Sequence, residues 1–172
     1  MTSPKRMFII GHTGALKALT GEALASKLGL QFIDANPGLE RYVGKHLNEI
    51  LGTQGEEAFH ECEAKIIAQY ISKNHIVVIL EEAVIATQKN RELLSAEFVV
   101  YLKVSTQVQM ERWSSGRTPL LPIENLQAFL EKQHLERDHL FAEVATLTVD
   151  STSVEENVKQ IIKQGKLNVA QV

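Results

Sequence analysis

Gly11-His12-Thr13-Gly14-Ala15-Leu16-Lys17-Ala18 follows directly on the apolar run Met7–Ile10 and leads into a helical pattern that begins at Lys17. A buried strand, a glycine turn and a helix with lysine at its mouth is the setting of the phosphate-binding loop GxxxxGK[ST], whose backbone N–H groups wrap phosphate oxygens. Gly11, Gly14 and Lys17 stand where such a loop wants them. Leu16 replaces the second required glycine and Ala18 replaces the Ser/Thr. Both changes carry a physical penalty. A leucine held in the left-handed conformation costs roughly 1–2 kcal/mol, and alanine has no oxygen to offer the magnesium that bridges nucleotide phosphates. Thr20 sits about 200° further around the helix from Ala18, so it cannot stand in for the missing hydroxyl. A plain tight turn, with Lys17 an ordinary first-turn residue, accounts for the stretch equally well.

Outward from this turn, short apolar runs alternate with helical patterns, which predicts a parallel sheet with helices on both faces. Strands are expected at Met7–Ile10, Leu30–Ile33, His75–Leu80, Glu97–Val104 and Ala145–Val149. Helices are expected at Lys17–Leu28, Glu56–Lys73, Gln88–Ser95, Gln107–Trp113, Asn125–Phe141 and Val154–Gly165. Gly29 is placed to stop the first helix and Ser151-Thr152-Ser153 to cap the last. With 172 residues and no linker, repeat or low-complexity stretch, the chain reads as one domain over 1–172. Ser114-Ser115-Gly116-Arg117-Thr118-Pro119 reads as a loop able to act as a lid, within a segment of about 113–124. Residues from Lys166 to Val172 are expected to fray.

Composition excludes several classes. A net charge of -3, with no dense Lys/Arg stretch, argues against nucleic acid as a partner. No apolar run is long enough to span a membrane, and Lys5-Arg6 is followed by too short an apolar run for a secretion signal. The single cysteine, Cys62, can form no internal disulfide, and a reducing cytoplasm is the expected location.

Beyond the loop, a series of motifs occurs in one order along nearly the whole chain. Lys17-Ala18-Leu19-Thr20-Gly21 stands for GKSTxG, and Gln31-Phe32-Ile33-Asp34-Ala35-Asn36 for F-x-D-x-D. Gly55 to Glu63 stands for GEExFRxxE, Pro119-Leu120-Leu121 for the end of RPLL, and Leu135 to Phe141 for ERxPLY. In this the chain resembles shikimate kinase, a small P-loop enzyme related to adenylate kinase. The resemblance implies a three-layer α/β fold around a five-stranded parallel sheet. It also implies a reaction, transfer of phosphate from Mg-ATP to shikimate in aromatic amino-acid biosynthesis.

Residue by residue, the resemblance makes Lys17 the contact to the nucleotide β/γ-phosphates, with Gly11 and Gly14 in the loop, and Asp34 the group that organises magnesium and the reacting hydroxyl. Asn36 stands where the family grips shikimate hydroxyls with an Asp. His60 replaces an Arg that pairs with the shikimate carboxylate, and Arg137 matches the second such Arg. The lid Arg before Pro has become Thr118, leaving Arg117 beside it as the nucleotide contact. A Gly-rich turn after the third strand is replaced by Leu80-Glu81-Glu82-Ala83-Val84. If Glu81 and Glu82 face the site they add like charge near the triphosphate, repelling by about 1–4 kcal/mol per pair at about 4 Å; alternatively they recruit a cation, cap the next helix or face solvent.

The preferred expectation from these departures is a shikimate-kinase-like protein with impaired or lost catalysis. A working shikimate kinase, or kinase of a related polyol acid, with an atypical loop is the alternative. A third is an interaction module that binds a protein partner through the kinase scaffold, with small-molecule binding weak or absent. No resident metal site is expected, because no H-x-x-x-H pair occurs, and His134 and His139 point to different helix faces. Cys62 and His60 diverge by about 200° on a helix, so no dyad is expected. Glu56, Glu57, Glu61 and Glu63 read as a solvated helix face, and Trp113 as packing under the lid.

Overall fold

A computed structural model describes residues 4–35, 55–114 and 123–169, without the side chains of 55–60, 62, 113–114 and 123–124. Its five strands are β1 (Arg6–Ile10), β2 (Gln31–Asp34), β3 (Ile76–Ile79), β4 (Phe98–Lys103) and β5 (Leu147–Asp150), in the order β2-β3-β1-β4-β5. Every neighbouring pair is parallel, with Ile9 of the central strand paired to Ile79 on one side and Val100 on the other. The helices are α1 (Lys17–Leu28), α2 (Gly55–Ile71), α3 (Gln88–Leu94), α4 (Thr106–Ser114), α5 (Ile123–Val144) and α6 (Val154–Gly165). The expected α/β architecture is therefore present, and the bounds of α1 and α6 agree with those read from the sequence.

Successive residues of a strand face opposite sides of the sheet, so an unbroken apolar run such as Met7–Ile10 must be covered on both. Met7 and Ile9 pack with Leu24 and Ala25 of α1 and Val158 and Ile161 of α6. Phe8 and Ile10 pack with Ile66 and Ile67 of α2, Leu94 of α3 and Phe141 and Val144 of α5. From β1 the chain leaves toward β2, whereas from β3 it crosses to β4. Their carboxyl ends thus flank the crevice where ligands of such sheets sit.

Caps set the helix ends as expected. Gly29, at φ 69°, closes α1, and Ser153 Oγ accepts from the Glu156 N–H at 3.1 Å to open α6. Gly21 on α1 lets the helix lie directly on the sheet: a Cβ there would stand 2.8 Å from Ile79 Cγ2 and 3.0 Å from Phe32 Cε2. Gly21→Ala is expected to lose about 1–3 kcal/mol of stability through overpacking. A urea melt checks this as a lower midpoint with an unchanged slope.

Three expectations need correction. Glu63 is not on a solvated face: it is 2% exposed, beside a small cavity lined by Ala35, Ile67, Leu80 and Glu81. Glu81 and Glu82 do not cap the next α-helix, because Glu82–Ala86 forms a turn of 3-10 helix and Thr87 opens α3. The frayed tail does not begin at Lys166, since Leu167 is buried in the core beside α6. Asn36, Arg117, Thr118 and the centre of the expected lid lie outside the described residues, as do the side chains of His60, Cys62 and Trp113.

Candidate active site

The turn between β1 and α1 is wound as a phosphate-binding loop. Gly11 has φ 148°, and a Cβ there would lie 2.5 Å from the Leu102 carbonyl oxygen, so β4 admits only glycine at this point. Gly14 follows at φ 89°, and Leu16, at φ 64° and ψ 34°, takes the left-handed conformation itself. The leucine therefore bears the conformational penalty and the turn keeps its shape.

Contacts from outside hold it there. Gln109 Nε2 of α4 donates to the Thr13 carbonyl at 2.7 Å, Arg112 donates to the Gly14 carbonyl, and Ser151 Oγ donates to the Ala15 carbonyl at 2.8 Å. In a trans peptide the next N–H points the opposite way, so the amides of Gly14 and Leu16 turn away from these donors. Arg112 also reaches the Thr152 carbonyl at 2.7 Å, tying α4 to the turn after β5. Thr20 is fully buried and accepts from Asn157 Nδ2 at 3.3 Å, so its hydroxyl serves the α1–α6 contact.

Lys17 bends back over the loop, donating to the carbonyls of Gly11 at 2.6 Å and His12 at 3.2 Å. It lines an open cleft of about 440 Å³ with Thr13, Gly14, Leu16, Ala18, Asp34, Gln109 and Arg112. Burial pushes its ammonium down from 10.5 to about 8, against the opposing pull of Glu82, Glu81 and Asp34. Below about 8 the amine is charged and able to meet a phosphate; above it the charge is lost. The affinity for a non-hydrolysable ATP analogue should therefore be flat below about pH 8 and fall about tenfold per pH unit above it. Calorimetric titration across pH 6–10 checks this, with Lys17→Ala expected to give a flat profile in that range.

Glu82, partly buried, turns toward the loop. Its Oε2 accepts from the Thr13 N–H at 3.0 Å, and its Oε1 lies 3.6 Å from Arg137 Nη1. Although burial works against the charge, His12, the Thr13 N–H, Lys17 and Arg137 hold this carboxyl down from 4.5 to about 2. The cleft thus joins Gly14, Lys17 and Asp34, Gly11 meets Lys17 through its carbonyl, and Arg137 is tied to the loop through Glu82. The sequence reading missed Gln109, Arg112 and Asp138, the last of which joins His12 to His134. The Gln109–Arg112 spacing, which sets both side chains on one face of α4, was the available signal.

Comparison with known proteins agrees with the geometry. The shikimate kinase family model matches residues 13–166. This chain belongs to the shikimate kinase family. A shikimate kinase of Halorhodospira halophila is 37% identical over 153 residues, covering 87% of this chain and 86% of that protein. One from Legionella pneumophila is 35% identical over 163 residues, covering 92% and 93%. Among solved structures, the shikimate kinase of Acinetobacter baumannii in complex with shikimate superposes with a TM-score of 0.80 at 28% identity, covering 94% of this chain and 92% of that one. That of Bacteroides thetaiotaomicron, at 22% identity and covering 95% and 99%, gives 0.84, which speaks for the fold alone. None of these family comparisons marks a loss of activity, so the expectation of a degenerate enzyme draws no support from them. Among the described residues, no helix is long and apolar enough to cross a membrane.

Proposed function

We propose that this chain is a working shikimate-kinase-type phosphotransferase with an atypical phosphate loop, acting in the cytoplasm on Mg-ATP and shikimate or a closely similar polyol acid. The observation that carries the reading is Leu16 in the left-handed conformation, with Lys17 and Asp34 on the same cleft. The substitution that threatened the loop leaves its winding intact. Catalysis of this kind is mostly positioning and charge stabilisation, and Lys17 and Asp34 lining one cleft support the reading.

In the proposed reaction a substrate hydroxyl oxygen bonds to the γ-phosphorus while the bond from that phosphorus to the β,γ-bridging oxygen breaks. ADP leaves, and the hydroxyl proton passes to Asp34. Lys17 swings from the loop carbonyls to the phosphates, and the loop amides of Gly14 and Leu16, turned away from the donors that hold the loop, supply further hydrogen bonds. Asp34 would hold the magnesium of Mg-ATP, which would neutralise phosphate charge, since the Ala18 position offers no hydroxyl. Arg137 takes the substrate carboxylate, exchanging its Glu82 contact for it, and the family resemblance assigns Asn36 and His60 to the same substrate and Arg117 to the nucleotide.

The test is ADP release from Mg-ATP with and without shikimate. Release that depends on shikimate is expected. No release above the shikimate-free background, at enzyme concentrations near those of substrate, would overturn the reading.

A further inference from the structure

Beside the phosphate loop three side chains converge to which the proposed reaction gives no role. His134 and Asp138 lie four residues apart on α5, so both project from one face, and His12 meets them from the loop. One donor atom from each lies within 4.8 Å of the others. His12 is fully buried and its ring stands 4.0 Å from that of His134, centroid to centroid, while the Asp138 side chain is 41% exposed and opens one edge to solvent.

The hydrogen-bond pattern leaves this cluster short of positive charge. Gln109 Nε2 is committed to the Thr13 carbonyl, which fixes the amide so that its Oε1 faces His134 Nε2 at 2.8 Å. His134 Nδ1 meets the two Asp138 oxygens at 2.9 and 3.0 Å. Both nitrogens of that ring therefore face acceptors, and a neutral imidazole carries only one proton. His12 repeats the problem. Its Nε2 lies 2.5 Å from Asp138 Oδ1, while its Nδ1 has no hydrogen-bond partner among the described residues and faces Glu82 Oε2 at 3.8 Å. Filling the pattern with protons alone takes two beyond neutral rings and a carboxylate.

We propose that His12, His134 and Asp138 form a binding site for one transition-metal dication of the zinc class, seated between the phosphate loop and α5. A dication brings the two charges the pattern lacks. His12 Nε2 and His134 Nδ1 then give lone pairs to the ion and Asp138 stays anionic. The other ring nitrogens keep their protons, His134 Nε2–H for Gln109 Oε1 and His12 Nδ1–H toward Glu82. Two imidazoles and one carboxylate, with a fourth position open to water at the exposed edge, is a donor set that zinc, cobalt and nickel accept. The surroundings are those of a supported site: an amide orients one histidine, a carboxylate faces the other, and the Tyr101 hydroxyl lies 3.4 Å from the ligating Asp138 oxygen. This site goes beyond the proposed reaction and does not depend on it.

The experiment is titration of the full chain, stripped with a chelator, with Zn²⁺ in competition with a chromophoric zinc indicator. One equivalent should bind. His12→Gln and Asp138→Asn should each weaken it by about 100-fold or more, and Glu82→Gln by about 10–100-fold, while His139→Gln on the exposed side of α5 should leave it unchanged. Co²⁺ should give a visible absorption band that Asp138→Asn abolishes. Circular dichroism establishes that each variant is folded; if His12→Gln is not, Asp138→Asn decides, its side chain being partly exposed. Failure to take up one tight equivalent, or uptake undiminished by Asp138→Asn, would overturn the proposal and leave protons as the occupants of the cluster.

Discussion

Lys17→Ala should abolish nearly all shikimate-dependent ADP release, lowering kcat/KM by about 10²–10³-fold or more, while the thermal midpoint stays close to that of the parent chain. The size follows from where the charge works. A preorganised cation against developing phosphate charge is worth several kcal/mol, comparable to the removal of one oxyanion donor. The small effect on stability follows from opposing terms. Lys17 gives up two hydrogen bonds to the carbonyls of Gly11 and His12, each worth about 1 kcal/mol. The variant also no longer confines an ammonium that burial holds at about 8. A coupled assay beside a thermal melt separates the two. Activity within about threefold of the parent would show that the loop does not handle the transferred phosphate, and a collapse of the melt would show Lys17 to be structural.

The fold was legible because its signals are local. The apolar runs of β1 and β3 had to be buried on both faces, and Gly29 and Ser153 carry the cap chemistry that ends α1 and begins α6. The site was only half legible. Loop glycines, Lys17 and Asp34 are read from spacing along one segment. The contacts that hold the loop come from Gln109, Arg112 and Ser151, each about a hundred residues or more away in the chain, and the spacing that sets the first two on one face of α4 does not say which loop they reach. Glu63 shows an error of a different kind. Grouping it with Glu56, Glu57 and Glu61 by charge ignored the helical period, which sets it in line with Ile66, Ile67 and Tyr70 on the face toward the core. No two histidines stand four residues apart, but His134 and Asp138 do, and a carboxylate ligates as well as an imidazole. Leu16 carries the broadest lesson. A propensity cost of roughly 1–2 kcal/mol is real, yet surrounding tertiary contacts can hold a residue against it, so a broken motif does not establish a broken loop.

Ala18→Ser tests the other departure, the missing hydroxyl, and it should raise kcat by about tenfold or more. Ala18 is exposed on the first turn of α1 and lines the cleft with Lys17 and Asp34, so there is room for one added oxygen. A magnesium ion demands near-octahedral oxygen coordination, and a hydroxyl held by the helix would replace a mobile water without new strain. The gain should fall on kcat, because the ion does most for the charge that develops during transfer, with the KM for shikimate changed little. Stability should move by no more than about 0.5 kcal/mol, serine being well tolerated at a helix start. Ala18→Cys supplies the contrast: its size is similar, but a soft sulfur is a poor magnesium ligand and should give no gain. Equal rates for the parent and the serine variant would mean that another group already completes the coordination, with Glu81, whose charge reaches Lys17, the carboxylate to replace next. A rise specific to serine would instead place the deficit of this chain at a single absent oxygen, in a loop whose winding is otherwise intact.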